Sequence, residues 1–299
     1  MKRKIRAGLI AAIGGGLLLC GAYAAAAHRG DTAALAEGPA PAERTVETAV
    51  PSPTPAPEEV HILLLGADEP SADDPGRSDT MMVLSVEPVS RRVVLCSLMR
   101  DIYCPIPDHG SSRLNHAYMW GGPELLRETI ETNFGIQTDG YVLVDFDGFC
   151  AAIDAIGGVE LELEAEEAAH LGLAAGLHRL DGTAALEYAR ERAVGNADYD
   201  RTARQRKLVT TLIARAGSLT PGELAVLARE LLPQVQTDLR WTQLLALAMA
   251  AREYASYDMH TLRIPADGTV TDAVVDGMMV LNIDFAANRQ LWRETVYGE

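Results

Sequence analysis

Short apolar segments alternate with longer helical segments from residue 59 to the C-terminus of this 299-residue chain. Turn-forming residues bound the apolar segments, as in Gly66 after Val60–Leu65 and Gly157-Gly158 before Val159–Leu163. Apolar runs bounded in this way indicate buried strands. Because these runs and the helices interleave without an internal repeat, we predict one α/β domain over residues 59–299, with a mixed central β-sheet covered by helices.

The individual elements follow from the same patterns. The predicted strands are Val60–Leu65, Thr80–Val86, Arg92–Leu98, Gly140–Asp145, Val159–Leu163, Leu262–Ile264 and Met278–Leu281. The predicted helices are Pro123–Asn133, Phe146–Ile156, Thr183–Tyr188, Asp200–Ala216, Leu224–Leu232 and Thr242–Ala255, with a final helix after the last strand. Glu87–Arg91 predicts a hairpin connection, and the polar segment Glu69–Ser78 predicts a loop.

The N-terminus predicts export. Residues 1–6 are mostly basic, and Ala7–Ala27 contains no charged residue. As a helix that segment would span roughly 31 Å, close to the hydrocarbon thickness of a bilayer. We predict a cytoplasmic N-terminus, a single transmembrane anchor over residues 7–27 and an extracytoplasmic remainder. A cleaved signal peptide is the alternative, because Ala22-Tyr23-Ala24 suits a small-residue cleavage site.

Residues 28–58 predict a tether between the anchor and the domain. They contain six prolines and no hydrophobic periodicity, and proline-rich linkers are semi-extended.

The net charge of the whole chain, −16, argues against non-specific binding to nucleic acid, which requires a basic surface. Nucleic acid is therefore not an expected partner.

Arginines are concentrated in one stretch of this acidic chain. Five fall within seventeen residues: Arg190, Arg192, Arg201, Arg204 and Arg206. Because a guanidinium group can bind a phosphate bidentately, this density predicts an anion site. A solvated helix face is the alternative, because only Lys2, Lys4 and Lys207 among the 26 basic residues are lysines.

The position of these arginines at the start of a predicted helix favours the anion site. With Asp200 as N-cap, Arg201, Arg204 and Gln205 would share one face of the first turns. A helix N-terminus already carries partial positive charge, so a bound anion would relieve the repulsion. Pairing with nearby carboxylates is the alternative. In extended backbone, Arg190 and Arg192 would point to the same side.

Carboxylates follow or precede three of the predicted strands. They are Asp68 after the first strand, Asp79 before the second and Asp101 after the third. Carboxylates beside phosphate-binding arginines suit Mg²⁺, which is typically held by one or two carboxylates together with substrate phosphates. An ordinary turn or cap role is the alternative for each aspartate.

Ordered motifs in this chain resemble those of the LytR-CpsA-Psr family. The motif core spans residues 60–216. The matching blocks are Leu63–Asp68, Gly76–Met82, Met99–Asp101, Arg113–Tyr118, Gly121–Glu124, Val144–Phe149, Asp154–Val159, Leu180–Gly182, Tyr188–Arg190 and Asp198–Arg206. The resemblance implies a membrane-anchored phosphotransferase of the bacterial envelope. Such an enzyme moves a glycopolymer from an undecaprenyl-pyrophosphate carrier to a muramic-acid hydroxyl of peptidoglycan.

The resemblance also implies a role for each matching residue. Asp68 and Asp79 would hold Mg²⁺. The pyrophosphate would be bound by Arg77, Arg100, Arg113, Arg190, Arg192, Arg201 and Gln205. Asp198 would orient these arginines or assist the metal site. The resemblance gives no such role to Arg204 and Arg206, which we interpret as flanking charge. Arg113 is a departure, because the family usually has lysine there; the charge is kept and the geometry changes. Cys104 also departs from the aliphatic or polar residue that is common in the family.

The implied mechanism requires little covalent chemistry from the protein. The acceptor hydroxyl is the nucleophile, and positioning and charge neutralisation drive phosphoryl transfer. We assign catalytic roles to Arg100, Asp101 and Asp198, with Asp101 as the general base ahead of Asp198 or a weakly basic arginine. Apolar residues of the helices containing Phe146 and Leu208 could hold the polyprenyl tail or form ordinary core.

Two other functions are consistent with the same residues. A hydrolase would release the polyprenyl phosphate to water instead of to an acceptor. A non-catalytic envelope protein would bind the polymer or regulate its attachment.

Overall fold

The computed structural model describes residues 59–67, 78–220, 235–240 and 253–298, together with residues 223, 231, 243, 247 and 250. The strands are β1 (Val60–Ala67), β2 (Ser78–Glu87), β3 (Arg92–Leu98), β4 (Tyr103–Ile106), β5 (Gly110–Arg113), β6 (Gly140–Val144), β7 (Val159–Leu163), β8 (Gly176–Leu180), β9 (Val235–Thr237), β10 (Asp258–Ile264), β11 (Val270–Val275) and β12 (Met278–Ile283). The helices are α1 (Leu114–Phe134), α2 (Phe146–Ala155), α3 (Ala165–His170), α4 (Gly182–Arg190), α5 (Ala197–Ala216) and α6 (Phe285–Tyr297). The predicted anchor and tether lie outside the described residues. Within those residues, no helix combines the length and the apolar character that crossing a membrane requires.

A six-stranded sheet in the order β10-β3-β2-β1-β6-β9 forms the centre of the molecule. β1 pairs in parallel with β6, and β3 pairs in parallel with β10. β2 lies antiparallel between β1 and β3, and β9 is antiparallel to β6. The sheet is therefore mixed, and the predicted α/β fold with a mixed central sheet is confirmed.

Helices cover both faces of this sheet. In β1, Ile62 and Leu64 belong to the core shared with α2, α4 and α5. Leu63 and Leu65 belong to the opposite core, shared with α1 and α6. Because both faces are buried, the central strands read as continuous apolar runs instead of alternating ones.

The strand directions bring the ends of several strands to one edge of the sheet. β1, β3, β6 and β10 run the same way, so their carboxyl ends share this edge with the start of β2. Ligands in open α/β sheets bind outside the carboxyl ends of the strands. The edge where β3 ends and β2 begins is therefore the place where the sequence motifs converge.

Most predicted elements are confirmed, and the differences have local causes. α1 begins at Leu114 instead of Pro123, because Gly121 and Gly122 interrupt the helix with non-helical backbone angles and so conceal its first two turns. The hairpins β4–β5 and β7–β8 carry many polar residues, and for that reason β4, β5 and β8 gave no strand signal. In the two predicted helices after α5, Leu231, Leu247 and Tyr254 are helical and buried. Most other residues of these two segments lie outside the described part.

Candidate active site

Three elements and two loops bring the predicted site residues together. Asp79 is the second residue of β2, and Arg100 and Asp101 follow β3. Arg113 ends β5, and the first turns of α5 carry Asp198 and Arg201. Arg192 lies in the loop between α4 and α5. Asp68 and Arg77, two further residues of the predicted site, lie outside the described residues.

Asp79 is the carboxylate that three arginines share. Arg100 Nη1 donates to Asp79 Oδ1 at 2.6 Å, and Arg192 Nη2 donates to Oδ2 at 2.8 Å. Arg201 Nη1 lies 3.5 Å from the same Oδ2. Burial alone would raise the pKa of Asp79, but the hydrogen bond from Arg100 and the positive charges of all three arginines lower it overall. Asp79 is therefore held ionised.

Asp198 bridges the same three arginines from the other side. Arg201 Nη2 donates to its carboxylate at 2.9 Å, while Arg100 Nε lies at 3.5 Å and Arg192 Nε at 3.8 Å. As an acidic residue in the first turn of α5, Asp198 is also favoured by the helix dipole. The two aspartates thus hold three guanidinium groups in one arrangement.

Arg201 is the most buried member of this cluster. Its side chain is 3% exposed, and burial lowers its pKa although Asp198 and Asp79 raise it. The Nε atoms of Arg113 and Arg201 are buried and have no hydrogen-bond partner among the described residues, whereas Arg100 Nε faces the carboxylates of Asp101 and Asp198 at 3.5 Å. A buried donor without an acceptor costs about 1–3 kcal/mol. Phosphate oxygens are acceptors that would satisfy these donors, so the cluster is suited to a phosphorylated ligand.

Asp101 and Arg113 form a second ion pair beside the first. Arg113 Nη1 lies 3.2 Å from Asp101 Oδ1, and Arg100 Nε lies 3.5 Å from Asp101 Oδ2. Strand β12 braces this pair, because Arg113 donates to the carbonyl of Met279 and the Leu281 N–H donates to the carbonyl of Asp101. Altogether four guanidinium groups face three carboxylates here, so the cluster carries a net positive charge in an acidic protein.

An apolar cleft of about 620 Å³, a volume that includes solvent at its opening, lies beside the arginine cluster. Its walls come from the ends of β1 and β6 and from α2, α4 and α5. The lining residues are Leu64, Leu65, Gly66, Thr80, Val144, Asp145, Phe146, Phe149, Leu186, Ala189, Arg190, Gln205, Leu208 and Val209. The guanidinium of Arg190 stacks 4.3 Å above the Phe146 ring, and Gln205 donates to the carbonyl of Ala189 at 3.2 Å. Arg190 and Gln205 are therefore polar residues in a mostly apolar wall.

The helices containing Phe146 and Leu208 contribute both to the core and to the cleft. Leu208 and Val209 are each 2% exposed and belong to the core, yet they also line the cleft together with Phe146 and Phe149. The same side chains form the core and an opening within it.

Three details of the predicted arginine region were wrong. α5 begins at Ala197 with Asn196 as its N-cap, so Asp200 is not the cap; its carboxylate accepts the N–H of Asn196. Arg190 and Arg192 do not lie on one extended strand. Arg190 ends α4, whereas Arg192 reaches Asp79 from the loop.

Arg204 is not flanking charge either. It is 4% exposed and donates to the carbonyl of Glu191, so it fixes the loop that carries Arg192. Burial also lowers the pKa of Arg206, whose Nη1 has no hydrogen-bond partner among the described residues. Side-chain spacing alone could not reveal these contacts, because the loop folds back onto α5.

Glu191 is a functional candidate that the sequence motifs did not identify. Its side chain is 7% exposed, pairs with His170 Nε2 and accepts the N–H of Ala193. Burial would raise the pKa of Glu191, but the backbone hydrogen bonds and the charge of His170 lower it overall. Glu191 therefore stabilises the loop conformation in which the neighbouring Arg192 contacts Asp79. An acidic residue between two arginines was the only sequence signal.

Replacing Glu191 with alanine is expected to lower turnover about tenfold to hundredfold, because residues that orient a ligand-binding side chain have effects of this size. The loop would lose its anchor, while every group of the arginine cluster would remain. Glu187→Ala is the matched control, since Glu187 also lies near His170, at 3.5 Å, but is 53% exposed. Steady-state rates with both variants check the prediction. Equal rates for Glu191→Ala and Glu187→Ala would contradict it.

The donor set near Asp79 is compatible with Mg²⁺. Carboxylate oxygens are hard ligands, and Mg²⁺ is usually bound by one or two of them with substrate phosphates completing its shell. Within the described residues, no group of three or more His, Cys, Asp and Glu side chains forms a metal site. Asp79 and Asp198, whose carboxylates contact the same arginines, are described residues that could contribute ligands alongside a phosphate.

Comparison with known proteins identifies the family. A profile of the LytR_cpsA_psr family matches residues 28–296. The regulatory protein MsrR of Staphylococcus aureus strain COL is 40% identical over 157 residues, which cover 51% of this chain and 48% of MsrR. The polyisoprenyl-teichoic acid–peptidoglycan teichoic acid transferase TagU of Oceanobacillus iheyensis is 36% identical over 197 residues, covering 63% of this chain and 61% of TagU. The chain thus spans about half to three fifths of the length of these relatives.

Solved structures share the fold over most of the chain. TagT bound to LIIa-WTA superposes with a TM-score of 0.67 at 21% identity, covering 83% of this chain and 94% of TagT. TagT with bound octaprenyl pyrophosphate lipid superposes with a TM-score of 0.64 at 20% identity, with the same coverage. The ordered motifs, the mixed sheet and the profile match over residues 28–296 agree, and the chain belongs to the LytR-CpsA-Psr family.

Proposed function

We propose that this protein is a phosphotransferase that attaches a glycopolymer to peptidoglycan, taking it from an undecaprenyl-pyrophosphate carrier. The observation that carries the proposal is an apolar cleft next to the arginine cluster, since its lining residues Thr80 and Gln205 lie beside Asp79 in β2 and one turn after Arg201 in α5. A polyprenyl pyrophosphate combines the two matching chemistries, an apolar chain and a compact polyanion. The relative TagU is named as a teichoic acid transferase, and TagT has been solved with octaprenyl pyrophosphate, which supports this class of substrate.

In this proposal the cleft binds the lipid part of the donor and the arginine cluster binds its pyrophosphate. The polyprenyl tail lies along Phe146, Phe149 and Leu208, where its burial is favourable. Arg190 and Gln205 contact the donor where the apolar wall becomes polar. The pyrophosphate oxygens accept hydrogen bonds from Arg100, Arg113, Arg192 and Arg201, with Arg77 as a further ligand. These guanidinium groups neutralise the charge that gathers on the phosphoryl oxygens during transfer.

Transfer itself exchanges one P–O bond for another. The acceptor hydroxyl of muramic acid attacks the phosphorus that carries the glycopolymer. A new phosphodiester forms, and the bond to the leaving polyprenyl phosphate breaks. Asp101 is the proposed base that accepts the hydroxyl proton, because it lies beside Arg100 and Arg113, which are proposed to bind the pyrophosphate. Asp198 is the second candidate, although its main role is to orient Arg201 and Arg192.

Mg²⁺ is the proposed cofactor. Asp68 and Asp79 would hold it, with Asp198 nearby. When bound, it would supply additional positive charge to the pyrophosphate and its leaving group. Asp79 accepts hydrogen bonds from Arg100 and Arg192 and forms an ion pair with Arg201, so part of this pairing would pass to the substrate on binding.

The proposed location is the cell envelope, with residues 7–27 as the membrane anchor and the catalytic domain outside. A membrane anchor would hold the domain near its lipid donor, and residues 28–58 would set its reach from the bilayer. This arrangement rests on the basic cluster at residues 1–6 and the uncharged segment after it.

One experiment separates transfer from its two alternatives. The purified full-length chain is incubated in detergent with Mg²⁺, an octaprenyl-pyrophosphoryl oligosaccharide and a peptidoglycan fragment. A phosphodiester-linked product supports transfer, and its loss on chelation of Mg²⁺ supports the cofactor. Release of free oligosaccharide phosphate would instead establish hydrolysis. Binding without either product would favour a regulatory role, in line with the name of the relative MsrR.

A further inference from the structure

Trp120 stands out on the surface beside the arginine cluster. Its side chain is 40% exposed, and it is the only aromatic residue among the exposed large apolar side chains in the described part of the chain. It ends the first segment of α1, which begins directly after Arg113. Seven residues of helix separate the two, roughly 10 Å at 1.5 Å per residue.

The indole ring is held in place by two histidines. The His109 ring stacks on it with centroids 5.2 Å apart and an interplanar angle of 14°. The His116 ring lies at 5.4 Å and is tilted by 53°. Both imidazoles are anchored, because His109 Nδ1 donates to the carbonyl of Pro107 at 2.8 Å and His116 Nδ1 is hydrogen-bonded to Ser112 at 2.7 Å. The cluster is therefore a preorganised aromatic surface.

Trp120 is 40% exposed, so part of its indole is open to a ligand. Gly121 and Gly122, which follow it, carry no side chains and have non-helical backbone angles that kink α1 at this point. His109 also contributes a polar group, because a ring that donates through Nδ1 to a carbonyl has Nε2 as its acceptor nitrogen when neutral. An aromatic face with a hydrogen-bonding group at its side suits a pyranose ring. The C–H groups of the sugar carry partial positive charge and pack against the negative face of the indole.

The position of Trp120 across the sheet favours a sugar over the lipid. The apolar cleft is built on the face that α2, α4 and α5 cover. α1 lies on the opposite face, and the arginine cluster lies at the edge between the two. A donor with its tail in the cleft and its pyrophosphate on the arginines therefore extends its saccharide toward α1. An acceptor glycan that approaches Asp101 and Arg113 reaches the same surface.

We propose that Trp120, His109 and His116 form a saccharide-binding subsite that stacks a pyranose ring about two helical turns along α1 from Arg113. The inference rests on the proposed function for the orientation of the donor. The ring belongs either to the carried glycopolymer or to the peptidoglycan acceptor, and both sources share the chemistry that the subsite recognises.

The test measures binding to the full-length chain in detergent by calorimetry, with three probes. One is an N-acetylglucosamine–N-acetylmuramic acid tetrasaccharide, the second is octaprenyl-pyrophosphoryl chitobiose, and the third is octaprenyl pyrophosphate without sugar. Trp120→Ala is expected to weaken binding of at least one sugar-containing probe about tenfold, a stacking-sized effect. Trp120→Phe should recover part of that loss. Binding of the sugar-free lipid should not change.

The outcomes show whether the bound sugar comes from the donor or from the acceptor, and they test the subsite separately from the transferase activity. Loss confined to the tetrasaccharide identifies the acceptor as the occupant, and loss confined to the chitobiose lipid identifies the donor. Unchanged binding of both sugar probes would overturn the subsite, as would an equal loss for all three probes. Val274→Ala is the matched control, because Val274 is also exposed, at 69%, and lies on a different hairpin. If the wild-type chain produced no transfer while Trp120 still governed sugar binding, the transferase would fail and the subsite would stand.

Discussion

Replacing Arg201 with alanine is expected to lower the rate of glycopolymer transfer about 10³-fold, a loss comparable to removing a charge-stabilising group from a phosphoryl-transfer site. Arg201 is 3% exposed, contacts both Asp79 and Asp198, and has an unpartnered buried Nε. Its position is therefore set before any ligand binds. The rate of product formation with the octaprenyl-pyrophosphoryl donor measures the effect.

A second substitution at this position separates the effect of the charge from the effect of the guanidinium geometry, and a variant elsewhere serves as its control. Arg201→Lys keeps the positive charge but cannot contact Asp79, Asp198 and a phosphate through one planar group, so we expect it to recover only a small part of the rate. Arg179→Ala is the matched control, since Arg179 is 51% exposed and pairs with Glu160 away from the cluster. Transfer by Arg201→Ala at the wild-type rate would remove Arg201 from the site. The fold should survive, because Arg100 and Arg192 continue to pair with both aspartates.

Asp79→Asn is expected to reduce transfer about 10²-fold or more, because one carboxylate organises three arginines and is a proposed Mg²⁺ ligand. Asparagine keeps the shape but loses the charge. Calorimetric titration with Mg²⁺ in the presence of octaprenyl pyrophosphate adds a readout that does not depend on turnover, and weaker Mg²⁺ binding is expected. Asp147→Asn is the control, because Asp147 is an exposed acidic residue in the first turn of α2. Unaltered transfer and Mg²⁺ binding in Asp79→Asn would exclude the assignment.

The same substitution should change how stability depends on pH. The pKa of Asp79 in the folded protein lies below its ordinary value of 3.8. The unfolded chain therefore takes up this proton first as the pH falls. Ionised Asp79 stabilises the folded state above pH 3.8, and this contribution is lost as the pH falls through the lower folded-state pKa. The free energy of unfolding should thus fall more steeply in acid for the wild-type chain than for Asp79→Asn. Urea denaturation at a series of pH values below 5, roughly the upper limit of this effect, provides the measurement.

Much of the sheet was predictable because burial on both faces makes its strands continuous apolar runs. Val60–Leu65 and Arg92–Leu98 were recognised for this reason, and β1 and β3 are both central strands. The β4–β5 hairpin was missed, because Tyr103–Ile106 and Gly110–Arg113 are short and partly polar. Without this hairpin the surroundings of Trp120 could not be predicted either, because they include His109 in the turn of the hairpin.

The candidate site was partly predictable for a different reason. Asp79, Arg100 and Arg201 each stand in a recognisable motif, so their identity as site residues follows from local sequence. Their pairing does not, because 21 residues separate Asp79 from Arg100 and 113 separate Asp79 from Arg192. The roles of Arg204 and Glu191 are even less predictable from local sequence, because each acts through a backbone contact of the loop before α5.

The sequence by itself determined the class of fold and the chemical character of the site, because periodicity and residue type are local properties of the chain. It also separated the motif core, residues 60–216, from the N-terminal segments. Only the tertiary structure decided that Asp79 and Asp198 form ion pairs with the same three arginines and that the apolar cleft lies beside them. It also decided that Trp120 lies across the sheet from that cleft. These relations are set by strand order and helix packing, which bring residues far apart in sequence to one edge of the sheet.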